Sequence, residues 1–298
     1  MTSYHAGELA VQARAGVQTE AARLTKIIGA SISQTAQDFL LTQRLAIAST
    51  IDCNGSIWAS LLVGKPGFVQ VLTEQMVQIQ VLPIPGDPLL ENLSHYDDIG
   101  VLVIDLATRR RLRINGKAIQ SDDRINVRTE QVYFNCPQYI QTRSLVAQSD
   151  RRAIPKVQSY TALTQAQQQW ITQADTFFIA SFHPQSGADA SHRGGYPGFV
   201  RVLNTTALVF PDYAGNNMFN TLGNISQYSQ IGLLFVDFAV GRTLQLTGTA
   251  NIIWDVERIA KFVGAERLIE FQIDRVLETT DATTLRWKFA EYSPYNPR

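Results

Sequence analysis

From Leu45 onward the chain sets short runs of Val, Ile, Leu and Phe between turn-forming residues, the pattern of successive β-strands. Leu45–Thr50 and Ile57–Val63 flank Asp52-Cys53-Asn54-Gly55, in which Asn-Gly tolerates the positive φ of a tight hairpin. Lys65-Pro66-Gly67 leads into Phe68–Thr73, and Val77–Leu82 follows. The later part of the chain runs alike: Thr176–Phe182, a longer loop through Gly187, Ala190–Gly194, Gly198–Leu203 and Ala207–Phe210. A helical piece, Pro88–Tyr96 in one half and Met218–Tyr228 in the other, precedes two longer strands, near 99–106 with 111–120 and near 231–238 with 243–254. Ahead of all this, Ala21, Leu24, Ile28, Ile32, Ala36, Phe39 and Leu40 recur at three- and four-residue steps. That period predicts a helical lead-in over Val17–Gln43, covering one end of the first half. Asp122–Arg143 reads as helical and Ser144–Thr164 as a polar linker, while Asp255 is placed to cap a short helix before closing strands at Arg267–Thr279 and Thr284–Glu291.

The two halves are copies. Pro66-Gly67-Phe68-Val69-Gln70-Val71-Leu72 returns as Pro197-Gly198-Phe199-Val200-Arg201-Val202-Leu203, a shift of 131 (199 − 68). Ile99-Gly100-Val101-Leu102-Val103-Ile104-Asp105 returns as Ile231-Gly232-Leu233-Leu234-Phe235-Val236-Asp237, a shift of 132 (237 − 105). So long a period marks a duplicated domain, and two copies in one chain can pack as an intrachain pseudo-dimer with a site between them. The expected division is 1–43, helical; 44–143, first barrel; 144–171, linker; 172–298, second barrel. Roughly six short antiparallel strands per copy suggest a closed barrel, which also removes exposed edges.

The chain has 298 residues, 45% apolar, with 26 basic and 26 acidic side chains. Such balance gives no global pull toward nucleic acid or an anionic membrane. Only Cys53 and Cys136 are present, outside any staple or metal spacing, so a reducing, cytoplasmic setting is expected. The four histidines are scattered, and there is no Gly-x-Gly-x-x-Gly, phosphate loop or Gly-x-Ser-x-Gly elbow.

The polar content lies in the second copy. Ser191-His192-Arg193-Gly194-Gly195 stands where the first copy has Ser60-Leu61-Leu62-Val63-Gly64. An Arg fork matches a phosphate, Ser adds a donor, and bare glycines let a planar ligand approach the main chain. Pro211-Asp212-Tyr213 opens a loop through Asn217, Asn220 and Thr221 into a helix, whose amides favour an anion. An Asn-rich turn with an ordinary cap reads equally well there. Arg109-Arg110-Arg111 with Arg113 is either a charged strand edge or a wall facing the other copy. Cys136, beside Pro137, is expected to be buried and inert.

At these residues the chain resembles the pyridoxamine 5'-phosphate oxidase-like, FMN-binding split-barrel family, in its tandem-barrel branch. The likeness rests on Ser191-His192-Arg193-Gly194, on Ser229-Gln230-Ile231-Gly232-Leu233-Leu234-Phe235 and on Arg242-Thr243-Leu244-Gln245-Leu246-Thr247-Gly248. Tyr4-His5-Ala6-Gly7-Glu8 and Asn135-Cys136-Pro137-Gln138-Tyr139 add to it. The resemblance implies FMN in the groove between paired six-stranded Greek-key barrels, its phosphate on Ser191, Arg193, Asn217, Asn220 and Thr221. His192, Gly194, Pro211, Asp212 and Tyr213 would adjoin it, with Trp58 and Arg111 or Arg113 supplied by the first barrel as partner wall. Asn216-Asn217 replaces the basic pair often found at the helix entry, leaving the charge to Arg193, with Arg201 as a second candidate. Asp87 near the first copy's helix entry would repel a phosphate, so one competent site per chain is expected. The implied activity is an FMN-dependent oxidoreductase with a small-molecule substrate or redox donor, and no nucleic-acid or membrane partner. A flavin carrier or sensor, and a haem-binding or haem-degrading protein with His5 or His192 as axial ligand, are the alternatives. A homodimer of pseudo-dimers is compatible with this reading.

Overall fold

A computed structural model describes residues 4–80, 84–121, 123–148 and 154–298. The N-terminal third begins with helices α1 (Ala6–Ala15), α2 (Gln18–Leu24) and α3 (Gln34–Thr42), then strands β1 (Leu45–Ile51), β2 (Ile57–Val63), β3 (Val69–Thr73) and β4 (Met76–Gln80). Helix α4 (Leu89–His95) leads to β5 (Asp98–Asp105), β6 (Arg110–Ser121) and β7 (Arg124–Asn135). After β8 (Thr142–Gln148), β9 (Lys156–Tyr160) and α5 (Gln165–Gln173) come β10 (Thr176–His183), β11 (Gly187–Gly194), β12 (Arg201–Asn204) and β13 (Ala207–Tyr213). The chain finishes with α6 (Asn220–Gln227), β14 (Gln230–Asp237), β15 (Arg242–Ile253), α7 (Val256–Ile259), β16 (Ala265–Thr280) and β17 (Leu285–Glu291).

Two sheets share one strand order. The first runs β2-β1-β5-β6-β7-β4-β3 and the second β11-β10-β14-β15-β16-β13-β12, with β9 added beside β16. Both are antiparallel throughout. Each is seven-stranded along this path, not the closed six-stranded barrel expected: among the described residues no ladder joins the end strands β2 and β3, or β11 and β12. The open edges at β2 and β11 are covered instead by the opposite sheet, which protects them as closure would.

That covering is close because glycine permits it. A methyl group on Gly100 of β5 would strike the backbone of Ala188 and Asp189 in β11, and one on Gly232 of β14 would strike Ile57 and Ala59 in β2. An apolar cluster containing Ile47, Leu102, Phe178 and Leu234 spans both sheets. Each sheet also has its own core, including Phe39, Val101 and Leu112 in one and Phe177, Phe210 and Phe271 in the other.

The helical lead-in is broken by a short 3-10 turn at Thr25–Ile27; α3 packs into the core of the first sheet, and Ala21 of α2 meets Tyr133 of β7. Helix α1 docks on α6 of the second half, with Gly7 and Gly223 at the crossing. Of the helix expected over Asp122–Arg143, the described residues 123–143 are not helical: β7 buries Ile125, Val127 and Thr129 in alternation. Much of 144–171 is ordered as β8, β9 and α5, and α5 with its Thr164 cap stands 131 residues after α3 with its Ser33 cap. The Val77–Leu82 strand holds through Gln80, its remainder lying outside the described residues.

Among the described residues no helix is long and apolar enough to cross a membrane.

Candidate functional site

A cavity of about 850 Å³, counting its solvent-open mouth, lies where the two halves meet. Strand β11 supplies Ser191, His192, Arg193 and Gly194; β13 and the loop after it supply Pro211, Asp212, Tyr213 and Asn217; α6 supplies Asn220 and Thr221. The first half contributes Arg111, Arg113, Asn135, Cys136 and Tyr139. Eleven of the twelve residues expected from the sequence thus surround one space.

Trp58 does not. Its side chain is fully buried, its indole N–H donates to Asp52 Oδ2 at 3.1 Å, and Arg275 stacks 5.2 Å above the ring. It is a core residue, because both faces of β2 are covered. Arg201 also lies elsewhere, stacked on Phe262 at 3.8 Å and donating to the Lys261 carbonyl.

The arginines fall into two groups. Arg113 is fully engaged: its Nε pairs with Asp189 Oδ1 at 3.1 Å, one terminal nitrogen donates to Tyr133 at 2.7 Å and Asn220 Oδ1 at 2.9 Å, and the other donates to the Ser191 hydroxyl. Burial opposes its charge, but Asp189 outweighs that and the pKa is raised. Arg193 is nearly free. Its Nε is buried without a partner, its Nη1 reaches only the neighbouring His192 carbonyl, and the nearest carboxylate oxygen, on Asp212, is 4.0 Å away. Asp212 is itself held by Arg267 at 2.9 Å. Burial, only partly offset by Asp212, lowers the Arg193 pKa. Arg111 also has an unpartnered buried Nε, and burial with the charges of Arg113 and Arg193 brings it down to about 9. His192 is neutral, since burial and then Arg111, Arg193 and Arg143 hold its pKa well below the usual value. Neither of its ring nitrogens has a partner.

The remaining polar groups suit an incoming anion. Ser191 accepts from Arg113 and, at 3.3 Å, from Thr221, so its own hydroxyl proton is left to donate. Helix α6 starts at Phe219, which has no capping side chain and sits at φ 59°, while Asn217 before it sits at φ 61°. Bulky residues seldom adopt that conformation, and it leaves the first-turn amides of α6 without a side-chain acceptor. At the mouth, Gly194 is required: a methyl there would run into the carbonyl of Tyr139, whose hydroxyl donates to Ala214 at 2.6 Å. Tyr139, which takes φ 65° in the loop after β7, belongs to a segment that carried the family resemblance but was not among the expected site residues. Cys136 is exposed rather than buried, and Cys53 is exposed too.

Behind the cavity, α1 presents His5, Glu8 and Gln12 to the entry of α6. His5 caps α1 and bonds Asn224 at 2.9 Å, Glu8 accepts from Asn220 at 2.6 Å, and Gln12 donates to the Met218 carbonyl at 3.2 Å. His5 is therefore structurally committed, stacked 3.8 Å from His183. Burial drives Glu8 up to about 7 and His5 down to about 4. A carboxyl raised in the folded state contributes stability below its unfolded pKa that is lost as pH rises through the folded one. The stability of Glu8→Gln relative to wild type is therefore expected to improve from pH 4.5 to about 7, by up to about 3 kcal/mol. Urea midpoints across that range check it, and a difference independent of pH would refute the burial of a titrating Glu8.

The corresponding place in the first half is filled from within. Asp87 accepts from Ser60 at 2.7 Å, from the Leu89 amide at 2.9 Å and from Gln245 at 3.0 Å. Burial raises its pKa against these three bonds. Gln245 reaches across from β15 as Arg113 reaches across from β6, 132 residues earlier.

A mainly β chain with a basic, uncapped cavity between two like-ordered sheets is the class that these observations define. Residues 163–285 match the family model of pyridoxamine 5'-phosphate oxidase. Solved structures similar to parts of the chain include HupZ of Group A Streptococcus, with 14% identity, 38% of this chain and 91% of that one covered, and a TM-score of 0.32. An FMN-binding protein from Syntrophomonas wolfei aligns at 8% identity over 38% of this chain and 83% of that one, with a TM-score of 0.30. The FAD binding protein from Mycobacterium smegmatis aligns at 12% over 41% and 98%, also at 0.30. The search of curated proteins finds no match.

Proposed function

We propose that the cavity binds FMN and that the protein is an FMN-dependent oxidoreductase acting on a small molecule. The observation that carries this reading is the pair Arg193 and Arg111, two guanidinium groups lining one cavity, each with a buried Nε that lacks a hydrogen-bond partner, Arg193 facing a carboxylate only at 4.0 Å. Unpaired buried cations are unfavourable unless a ligand supplies the anion. With Ser191 and the open first turn of α6, they suit a phosphate, and the family model that residues 163–285 match makes a flavin the ligand that best fits. Arg193, Ser191, Asn217 and α6 would hold the phosphate, while Arg111, Asn135 and Tyr139 would wall the remainder of the cofactor.

The bound isoalloxazine would supply the electron-transfer chemistry. The chain's own residues orient the cofactor and limit water through the Tyr139 segment. Neither His192, which is held neutral, nor Asp212, which is tied to Arg267, is placed as a proton carrier. That observation favours a flavin carrier as the second reading, and steady-state oxidation of reduced nicotinamide would separate a catalyst from a carrier.

Titration is expected to load one FMN per chain, because Asp87 takes up the equivalent space in the first half. The loaded protein should show the two broad visible bands of oxidised flavin. A colourless protein that takes up no FMN would overturn the reading, and a sharp Soret band would instead assign the unpartnered His192 to haem.

A further inference from the structure

Cys136 is not used by the flavin reading, yet it lines the same cavity. It follows the last residue of β7, and β7 pairs with β6 so that Asn135 stands opposite Arg111. Cys136 is exposed and lines the same cavity as Arg111, whose buried Nε has no hydrogen-bond partner. Arg111 and Cys136 are near enough to interact electrostatically. A second feature points to a guest in this cavity: His192, which also lines it, is 3% exposed and both its ring nitrogens lack a partner. The charged groups lining the cavity are Arg111, Arg193, Arg113, which is paired to Asp189, and Asp212, which is paired to Arg267. An exposed thiol in such an electropositive place is the setting of reactive cysteines.

We infer that Cys136 is a thiol–disulfide exchange site selective for anionic low-molecular-weight disulfides, with Arg111 drawing the reagent to the sulfur. In the exchange, the Cys136 sulfur, having lost its proton to solvent, attacks one sulfur of the reagent. The reagent's S–S bond breaks, a new S–S bond joins Cys136 to one half, and the other half leaves as a thiolate carrying the electron pair. The reagent is the oxidant, and a reducing thiol reverses the step. The adduct would sit at the cavity mouth between Tyr139 and Arg111, so modification would close the cavity to other ligands. This inference does not depend on FMN being the natural occupant.

The molecule contains its own reference, since Cys53 is also exposed and lies in the β1–β2 turn, outside the cavity. Rates with dianionic 5,5'-dithiobis(2-nitrobenzoate) and with neutral 4,4'-dithiodipyridine are measured on Cys53→Ser, which leaves Cys136, and on Cys136→Ser, which leaves Cys53. The anionic-to-neutral rate ratio is expected to be about tenfold higher for Cys136, the lower end of electrostatic steering. Adding Arg111→Gln to Cys53→Ser should bring the ratio down to that of Cys53. Raising salt on the Cys53→Ser protein alone should do the same, which keeps the test valid if the arginine variant folds poorly. Equal ratios for the two cysteines, or a Cys136 ratio indifferent to salt, would overturn the assignment.

Discussion

Replacing Arg193 with alanine is expected to weaken FMN binding roughly 10- to 150-fold, a loss of about 1.5–3 kcal/mol, the scale of a hydrogen bond to a charged group. The loss should be incomplete, because the Ser191 hydroxyl and the first-turn amides of α6 remain. It should also be specific to binding. Arg193 has no ion pair closer than 4.0 Å and its pKa is already lowered by burial, so removing it takes away a charge that the empty cavity does not satisfy. The apo protein should consequently melt no lower than wild type. Fluorescence titration and a thermal scan of the same variant give both numbers. Unchanged affinity would place the phosphate away from β11.

The second large effect concerns folding rather than ligand. Asp189→Asn should destabilise the apo protein by about 3–5 kcal/mol, since it leaves the Arg113 guanidinium buried without its counter-ion. Asp189 belongs to β11 and Arg113 to β6, so this pair joins the two halves. Arg113 in turn orders Ser191, Tyr133 and Asn220. Denaturant unfolding measures the loss. A cost below about 1 kcal/mol, typical of surface pairs, would mean that water reaches the pair.

Much of this site was readable because the second half of the chain could be compared with the first, whose sheet has the same strand order. Ser191, His192 and Arg193 stood out only because Leu61 and Leu62 occupy the matching strand, and the structure brings them to the same cavity as Asn217, Asn220 and Thr221. Trp58 misled because a strand with both faces covered has no polar side to betray which way a residue points. Residues 124–135 were nonetheless a legible strand: Arg124, Arg128 and Glu130 are exposed and alternate with the buried Ile125, Val127 and Thr129, a period of two that the helical reading passed over. Tyr139 and the exposure of Cys136 depend on how the loop after β7 meets Gly194, a contact between residues more than 50 positions apart. Local sequence carries no record of such a meeting. The duplicated order of strands was legible, but the seventh strand in each sheet and the absence of closure were not.

In an assembly of identical subunits every substitution is made twice, so no surface can change without its twin. Here both sheets belong to one polypeptide, and that obligation is lifted. Asp87 on one side and Arg193 on the other show how far the sides have parted: a carboxylate fills the first recess while a cation opens the second. A chain freed from mirrored mutation can devote one recess to stability and leave the other to selection for chemistry.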